Sequence, residues 1–496
     1  MNAPAVRDVA QLLLPAFQWD RTRGWEAERT RIEEALRLGV GGVLLRGGTV
    51  ESVRTLTKEL QSRTRTPLLV AADMEQGAGQ QFEGSAGLPP LSAIAWLKDV
   101  DAVRRAARLT AREARTMGVN WAFAPVVDLD LVPENPIVHT RSFGSDPRVV
   151  SNLASEWIDA CQSEGVLSCA KHFPGHGRTT TDSHMELPVV RATARELHET
   201  DLAPFRAAID AGVGAIMTAH VAYPALDSTG TAATLSREIL QWLLRQQMKF
   251  DGLVVADALD MAAVRQGRDE AEVAVDAVRA GCDMLVAPHD LSRIAKALGD
   301  AAASGYLDVE RLHQSVRRRL KWAQWVSPPN DWRRPSLSDV SWGAQLCDRV
   351  VHQVRGAARA LVGRVDVVIV DDDLGTDGSP APMAPSREWL PQALRTGGRD
   401  VEVTEGPGAD ARGPLVVALF GDVLPGKGRI GYEADTLGVV QRVAEQARLA
   451  ARDVILVHFG HPRLAPVVPG VEHVVCAWSG DRAMQEAAAR WLLKAR

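Results

Sequence analysis

VLSCAKHFPGHGRTTTDSHMELP, residues 166–188, joins a nearly continuous apolar run to a dense polar loop. A strand buried on both faces is nearly continuous in apolar residues, so 166–172 is predicted as such a strand, ending on Lys171 and His172. Two prolines and two glycines between 171 and 188 preclude a regular helix, and the polar residues therefore occupy a shaped loop carrying His176, Asp182 and His184. The same grammar recurs along the chain. Apolar runs at 12–18 (LLLPAFQ), 42–46 (GVLLR), 67–73 (PLLVAAD), 121–128 (WAFAPVVD), 215–220 (AIMTAH), 252–257 (GLVVAD) and 283–288 (DMLVAP) alternate with segments of helical periodicity at 50–63, 101–117, 148–164, 193–211, 236–248 and 268–280. Eight strands separated by crossovers predict an α/β fold, a parallel (β/α)8 TIM-like barrel over residues 1–330.

The interruptions in these runs carry the functional signal. Asp73, Asp128, Lys171, His172, His220 and Asp257 all fall at predicted carboxyl ends, the rim on which barrels of this type build their sites. Beyond them SPPNDWRRPSLS (327–338) breaks every periodic pattern, and a linker is expected over 331–341. A smaller doubly wound α/β sandwich is expected over 342–496, opening with a helix at 342–362. It continues with strands 366–371, 414–420, 453–459 and 473–478 and helices near 434–450 and 481–494. PGKGRIG (425–431) contains G-x-G-x-x-G, but four residues separate it from the preceding strand, it opens no helix directly, and no suitable strand-end acid follows. No dinucleotide site is expected there.

Composition narrows the function. The chain has 496 residues, 46% of them hydrophobic and 24% charged, a globular balance. Lys plus Arg number 57 against 62 for Asp plus Glu, so no basic excess exists to hold a nucleic acid. Five scattered cysteines without a CxxC pair read as reduced thiols, and no apolar stretch reaches membrane-spanning length; a cytoplasmic protein is expected, with no membrane partner.

Two chemistries fit the 171–188 loop. His172, His176 and His184 with Asp182 could ligate a metal, as in a metal-dependent hydrolase, although H-x3-H presents both rings on one face only in a helix and Pro174 and Gly175 intervene. Alternatively, Asp182 holds one nitrogen of His184 and leaves the other to exchange a proton, a task suited to imidazole near neutrality. Asp257 places a carboxylate at the rim, with Lys171 and Arg141 the expected charged supports; Asp260 reads as a helix cap or surface charge. One strand-end carboxylate with one proton donor is the minimum equipment for retaining glycoside hydrolysis.

KHFPGHG with DSH, APVVD (124–128), NPIVHTRSFGSDP (135–147), MTAHVAYPALD (217–227), TLS (234–236), VVADALDM (254–261) and AGCDMLVAP (280–288), in unbroken order over residues 10–325, resemble glycoside hydrolase family 3 in its bacterial β-N-acetylglucosaminidase (β-hexosaminidase) branch. The second domain resembles the α/β domain of two-domain members. The resemblance implies a small carbohydrate substrate, no metal or organic cofactor, and a setting in cell-wall recycling. It makes Asp257 the nucleophile, His184 the acid/base with Asp182 as its partner, and Asp73, Arg141, Lys171 and His172 the ligands of the sugar hydroxyls in the −1 subsite. One stretch departs: where the branch reads D-x-E-G-G-R-V-x-R-F, this chain has DMEQGAGQQF (73–82), with Ala78 and Gln81 at the arginine positions. That substitution leaves β-glucosidase or broad β-glycosidase activity as alternatives to hydrolysis of terminal N-acetylglucosamine, and a histidine acid/base, with no fixed negative charge to repel phosphate, leaves phosphorylase activity as a third.

Overall fold

A computed structural model of the chain describes residues 6–326, 335–357, 360–373, 385–407, 413–424 and 426–494. They form two compact units, one of Met1–Ala86, Val100–Val138 and Ser142–Ser336, the other of Gly87–Asp99, His139–Arg141 and Leu337–Arg496.

The first unit is a TIM-like α/β domain. Its strands are β1 (Leu13–Leu14), β2 (Ala16–Gln18), β3 (Gly42–Arg46), β4 (Leu69–Ala72), β5 (Trp121–Ala122), β6 (Leu167–Phe173), β7 (Ala215–Thr218), β8 (Leu253–Val255) and β9 (Leu285–Val286). β2 through β8 form one parallel sheet in sequence order. A bridge from Val255 to Met284 carries the pairing toward β9, and β9 pairs in parallel with β1. Pro15 splits the first predicted strand because it offers no amide hydrogen; its halves serve different neighbours, β1 pairing with β9 and β2 with β3. Pro125 likewise cuts the predicted strand 121–128 to Trp121–Ala122, and pairing resumes as a bridge from Val126 to Lys171.

Leu14, Leu44, Trp121, Leu167, Met217 and Val255 fill the interior. The helices between strands present apolar faces at helical spacing; Pro147–Ser163, capped by Asp146 on the amides of Arg148 and Val149, buries Val150, Leu153, Ala154, Trp157, Ile158 and Cys161. Helix Val309–Trp325 seals the amino-terminal end of the barrel, its buried Arg319 donating from Nε to the Gly41 carbonyl at 2.8 Å just ahead of β3. The carboxyl ends of the strands are left to the long loops.

The second unit holds β10 (His352–Arg355), β11 (Val365–Asp371), β12 (Val401–Val403), β13 (Leu415–Phe420), β14 (Val454–Phe459) and β15 (His473–Cys476) in the order β10-β15-β14-β13-β11-β12. β10 is antiparallel to β15, so the sheet is mixed and not the wholly parallel one expected of a doubly wound sandwich. Alternation along β13 and β14 sends Val416, Ala418, Phe420, Ile455 and Val457 into one apolar cluster, shared with helices Leu337–Val350, Trp389–Thr396 and Arg482–Lys494. Leu415, Val417, Leu419 and Leu456 pack on the opposite face with helix Ala434–Leu449. The helix expected at 342–362 stops at Val350, where the chain turns extended to pair as β10. Linker residues 331–334 lie outside the described residues. Among the described residues no helix is long and apolar enough to cross a membrane.

Candidate active site

Asp257 emerges where β8 ends, half-buried, with Oδ1 accepting from the Ala258 amide at 2.8 Å. Burial pushes its carboxyl group up. The imidazoles of His172 and His220, the Ala258 hydrogen bond and the imidazole of His184 outweigh that effect and hold it at about 2. It is therefore an anion throughout the neutral range. The leading supports are imidazoles and an amide, not the expected Lys171 and Arg141. Lys171, buried at the end of β6, bonds through Nζ to Asp73 Oδ1 and Glu75 Oε1, both at 2.8 Å. Arg141 closes the single helical turn His139–Arg141, which belongs to the second unit.

His220 is fully buried. Its Nε2 donates to the Ala258 carbonyl at 3.0 Å and its Nδ1 pairs with Thr234 Oγ1 at 2.7 Å, so it braces the residue next to Asp257. Burial lowers its affinity for a second proton. His172 is fixed by Asp128, which accepts from its Nδ1 at 2.7 Å and its backbone amide at 3.0 Å. With Nδ1 committed, Nε2 is the nitrogen His172 can offer a ligand.

The DSH turn has the expected local geometry. Asp182, buried, accepts on Oδ1 from both the amide and the Nδ1 of His184, each at 2.8 Å. The carboxylate fixes the tautomer and leaves Nε2 available, and the His184 side chain remains 32% exposed. The turn is bonded to the segment that follows Asp257: the Ala262 amide donates to the His184 carbonyl at 3.4 Å and the Ala263 amide to the Ser183 carbonyl at 3.3 Å. Two loops remote in sequence thus share one rim.

The histidine cluster does not have the form of a metal site. His176 commits both ring nitrogens, Nδ1 to Thr179 Oγ1 at 2.8 Å and Nε2 to Ser183 Oγ at 3.0 Å. His172 and His184 each spend Nδ1 on an aspartate, and among the described residues no three His, Cys, Asp or Glu side chains are grouped to hold an ion. His172, His176 and His184 are therefore bound into separate hydrogen-bond pairs and not, as the metal-dependent alternative requires, grouped around one ion. Of the two replaced arginine positions, Ala78 is wholly buried in the turn Ala78–Gln80, and Gln81 accepts through Oε1 from the Gly47 amide at 3.3 Å. Asp128 and Glu75 bond directly to the rim groups, Asp128 to His172 and His176 and Glu75 to Lys171. The Asp ending APVVD, like the Asp ending GLVVAD, was a usable signal, and Glu75 was marked only by its place in the D-x-E of DMEQG.

The rim of this TIM-like domain thus carries a strand-end carboxylate held ionised and, on a turn bonded to the segment that follows it, an imidazole oriented by a second carboxylate. Residues 6–321 match the glycosyl hydrolase family 3 N terminal domain, and the chain belongs to that family of glycoside hydrolases. It is 36% identical over 292 residues to a β-N-acetylglucosaminidase/β-glucosidase of Cellulomonas fimi; the match takes in 57% of this chain and 52% of that protein, so the chain spans about half that relative's length. A β-hexosaminidase of Chromobacterium violaceum is 38% identical over 322 residues, covering 62% of this chain and 86% of the relative. The solved structure of a family 3 β-N-acetylglucosaminidase from Paenibacillus sp. str. FPU-7 has a TM-score of 0.83 at 26% identity, covering 99% of this chain and 96% of the other.

Proposed function

We propose that the protein is a retaining exo-β-glycosidase that removes terminal β-linked N-acetylglucosamine through a covalent glycosyl-Asp257 intermediate. The observation that carries the reading is the His184 Nδ1 to Asp182 Oδ1 bond of 2.8 Å, on a turn bonded to the segment following an ionised Asp257. In the first step a carboxylate oxygen of Asp257 attacks the anomeric carbon while the bond to the leaving oxygen breaks. Protonated His184 delivers its Nε2 proton to that oxygen. In the second step neutral His184 takes a proton from water, whose oxygen attacks the same carbon and releases Asp257. Two inversions give net retention, and Asp182 holds the imidazolium that forms in each cycle.

Asp73, Arg141, Lys171 and His172 are proposed to bind the hydroxyls of the −1 sugar. Asp73 suits that task because its carboxylate is fixed by Lys171 yet 32% exposed. No metal or organic cofactor takes part in the proposed cycle. With Ala78 and Gln81 in place of arginines, the leaving-group side is proposed to favour neutral aglycones over acidic ones.

Parallel rates with p-nitrophenyl β-glycosides of 2-acetamido-2-deoxyglucose and of glucose, with and without phosphate, test the substrate. Proton NMR of the first-formed sugar tests the stereochemistry. The expected result is faster release from the 2-acetamido substrate, no dependence on phosphate, and the β-anomer formed first. A phosphate-dependent sugar phosphate would make the protein a phosphorylase, and α-anomer first would end the covalent mechanism.

A further inference from the structure

The loop bearing His184 has a tethered base and a docked tip. At the base, Tyr223 Oη donates to the Gly175 carbonyl at 2.8 Å, Asn135 Nδ2 donates to the His176 carbonyl at 2.9 Å, and Arg178 Nε donates to Asp201 Oδ2 at 2.9 Å. Asp128 governs this base: Oδ1 accepts from the amides of both His172, at 3.0 Å, and His176, at 2.6 Å, while Oδ2 accepts from His172 Nδ1. At the tip stand Ser183 and His184.

The His176 ring spans the two. Thr179 Oγ1 donates its one proton to the His176 carbonyl at 3.0 Å and also receives the Asn135 amide at 3.3 Å, so toward the ring it is an acceptor. That assigns the ring proton to Nδ1 and makes Nε2 the acceptor of the Ser183 hydroxyl at 3.0 Å. Ser183 is buried and flanked in the chain by Asp182 and His184. Both ring nitrogens of this buried histidine are therefore paired, one toward the base of the loop and one toward its tip.

We infer that His176 and Ser183 are positioning residues for the reaction: their hydrogen bond indexes the His184 turn to Asp128, the same carboxylate that orients His172, so that proton donor and sugar-binding imidazole share one rigid reference. The inference rests on His184 being the acid. A proton donor displaced by about an ångström loses much of its effectiveness, whereas a nucleophile on another strand is unaffected.

The test compares Ser183→Ala, His176→Leu, His176→Gln and His184→Ala on the phenyl and 2,4-dinitrophenyl 2-acetamido-2-deoxy-β-glucosides, the first leaving group needing a proton and the second not. We expect H184A to lose about a hundredfold or more in kcat/KM on the phenyl substrate and little on the other. S183A and H176L should each lose about tenfold on the phenyl substrate and less than about twofold on the other. The double variant should lose no more than either single one. H176Q, whose side-chain carbonyl can still accept from Ser183, should recover most of the loss. S183A removes a single oxygen, so it keeps the test decisive even where H176L fails to fold. A steep leaving-group dependence in H184A alongside an equal loss on both substrates, or none, in S183A overturns the positioning role and leaves the acid in place. Equal losses on both substrates in H184A overturn the acid and the latch together.

Discussion

Both units place aspartates at the carboxyl ends of parallel strands, and they use them in opposite ways. In the second unit Asp371 ends β11, Asp372 and Asp373 follow it, and Asp422 follows β13. β11 pairs with β12 on one side and β13 on the other, which makes its carboxyl end the point where connections diverge and where open sheets usually hold ligands. Here the chain's own cations occupy it. Arg387 bonds to Asp371 at 2.8 Å, Asp373 at 2.5 Å and Asp422 at 3.2 Å, Lys427 to Asp373 at 2.6 Å, and Arg429 to Asp372 at 2.5 Å. Lys427 and Arg429 are two of the three residues between the glycines of the G-x-G-x-x-G stretch, so that stretch is an ion-pair loop; its preceding Pro425 lies outside the described residues. On the barrel rim, by contrast, Asp257 is stabilised by imidazoles and one amide and stays half-buried, beside a partly exposed His184. The two sets of strand-end acids differ in their support: guanidinium and ammonium groups saturate those of the second unit, whereas imidazoles and one amide hold Asp257 ionised.

That contrast breaks most sharply at Asp257. Replacing it with Ala should cut turnover of an aryl 2-acetamido glycoside by about ten-thousandfold or more while leaving cooperative thermal unfolding in place. Residual activity within about tenfold of wild type would mean the rim carboxylate is as structural as those of the second unit. The converse experiment is Arg387→Leu. Removing one partner from a buried ion network leaves Asp371, Asp373 and Asp422 under-compensated and should cost about 3–5 kcal/mol in urea unfolding. The kcat of molecules that remain folded should hold within about twofold. A large fall in kcat with little loss of stability would place chemistry in the second unit after all.

Much of this contrast was legible in sequence, for a physical reason. Strands buried on both faces leave continuous apolar runs, so β3, β6, β13 and β14 stand out, and one polar residue at the end of such a run identifies a rim position. Asp182 and His184 were legible too, because a carboxylate two residues before an imidazole can reach its Nδ1 without any long-range information. β10 and β12 were not: HQVR and VEV are short edge strands with too few apolar positions to separate from helix or loop. Nor were the partners of the rim groups. That Lys171 lies between Asp73 and Glu75, and that Asp128 holds His172 and His176, depends on how the ends of neighbouring strands line up, which local periodicity does not encode.

The smallest expected effect is a difference in pH dependence between the two kinds of carboxylate. Asp257, held at about 2 against an ordinary 3.8, binds its proton less tightly in the folded chain than in the unfolded one. Its contribution to stability is present above about pH 4 and is lost as the pH falls toward 2. Asp422 has the opposite sign. Burial and the neighbouring Asp373 charge push it up to about 7 despite Arg387, so the folded chain keeps a proton that the unfolded chain releases. Its contribution is greatest below about pH 4 and declines as the pH rises through 4 to 7. Asn at 422 removes that titration and still accepts from the Gly480 amide, which donates to Asp422 Oδ1 at 2.7 Å. Between pH 5 and pH 8 the stability read from urea unfolding should therefore fall less in Asp422→Asn than in wild type, by about 2–3 kcal/mol in unfolding free energy. Parallel profiles would show that Asp422 is already ionised at pH 5 and that the ion cluster, like Asp257, favours the charged carboxylate.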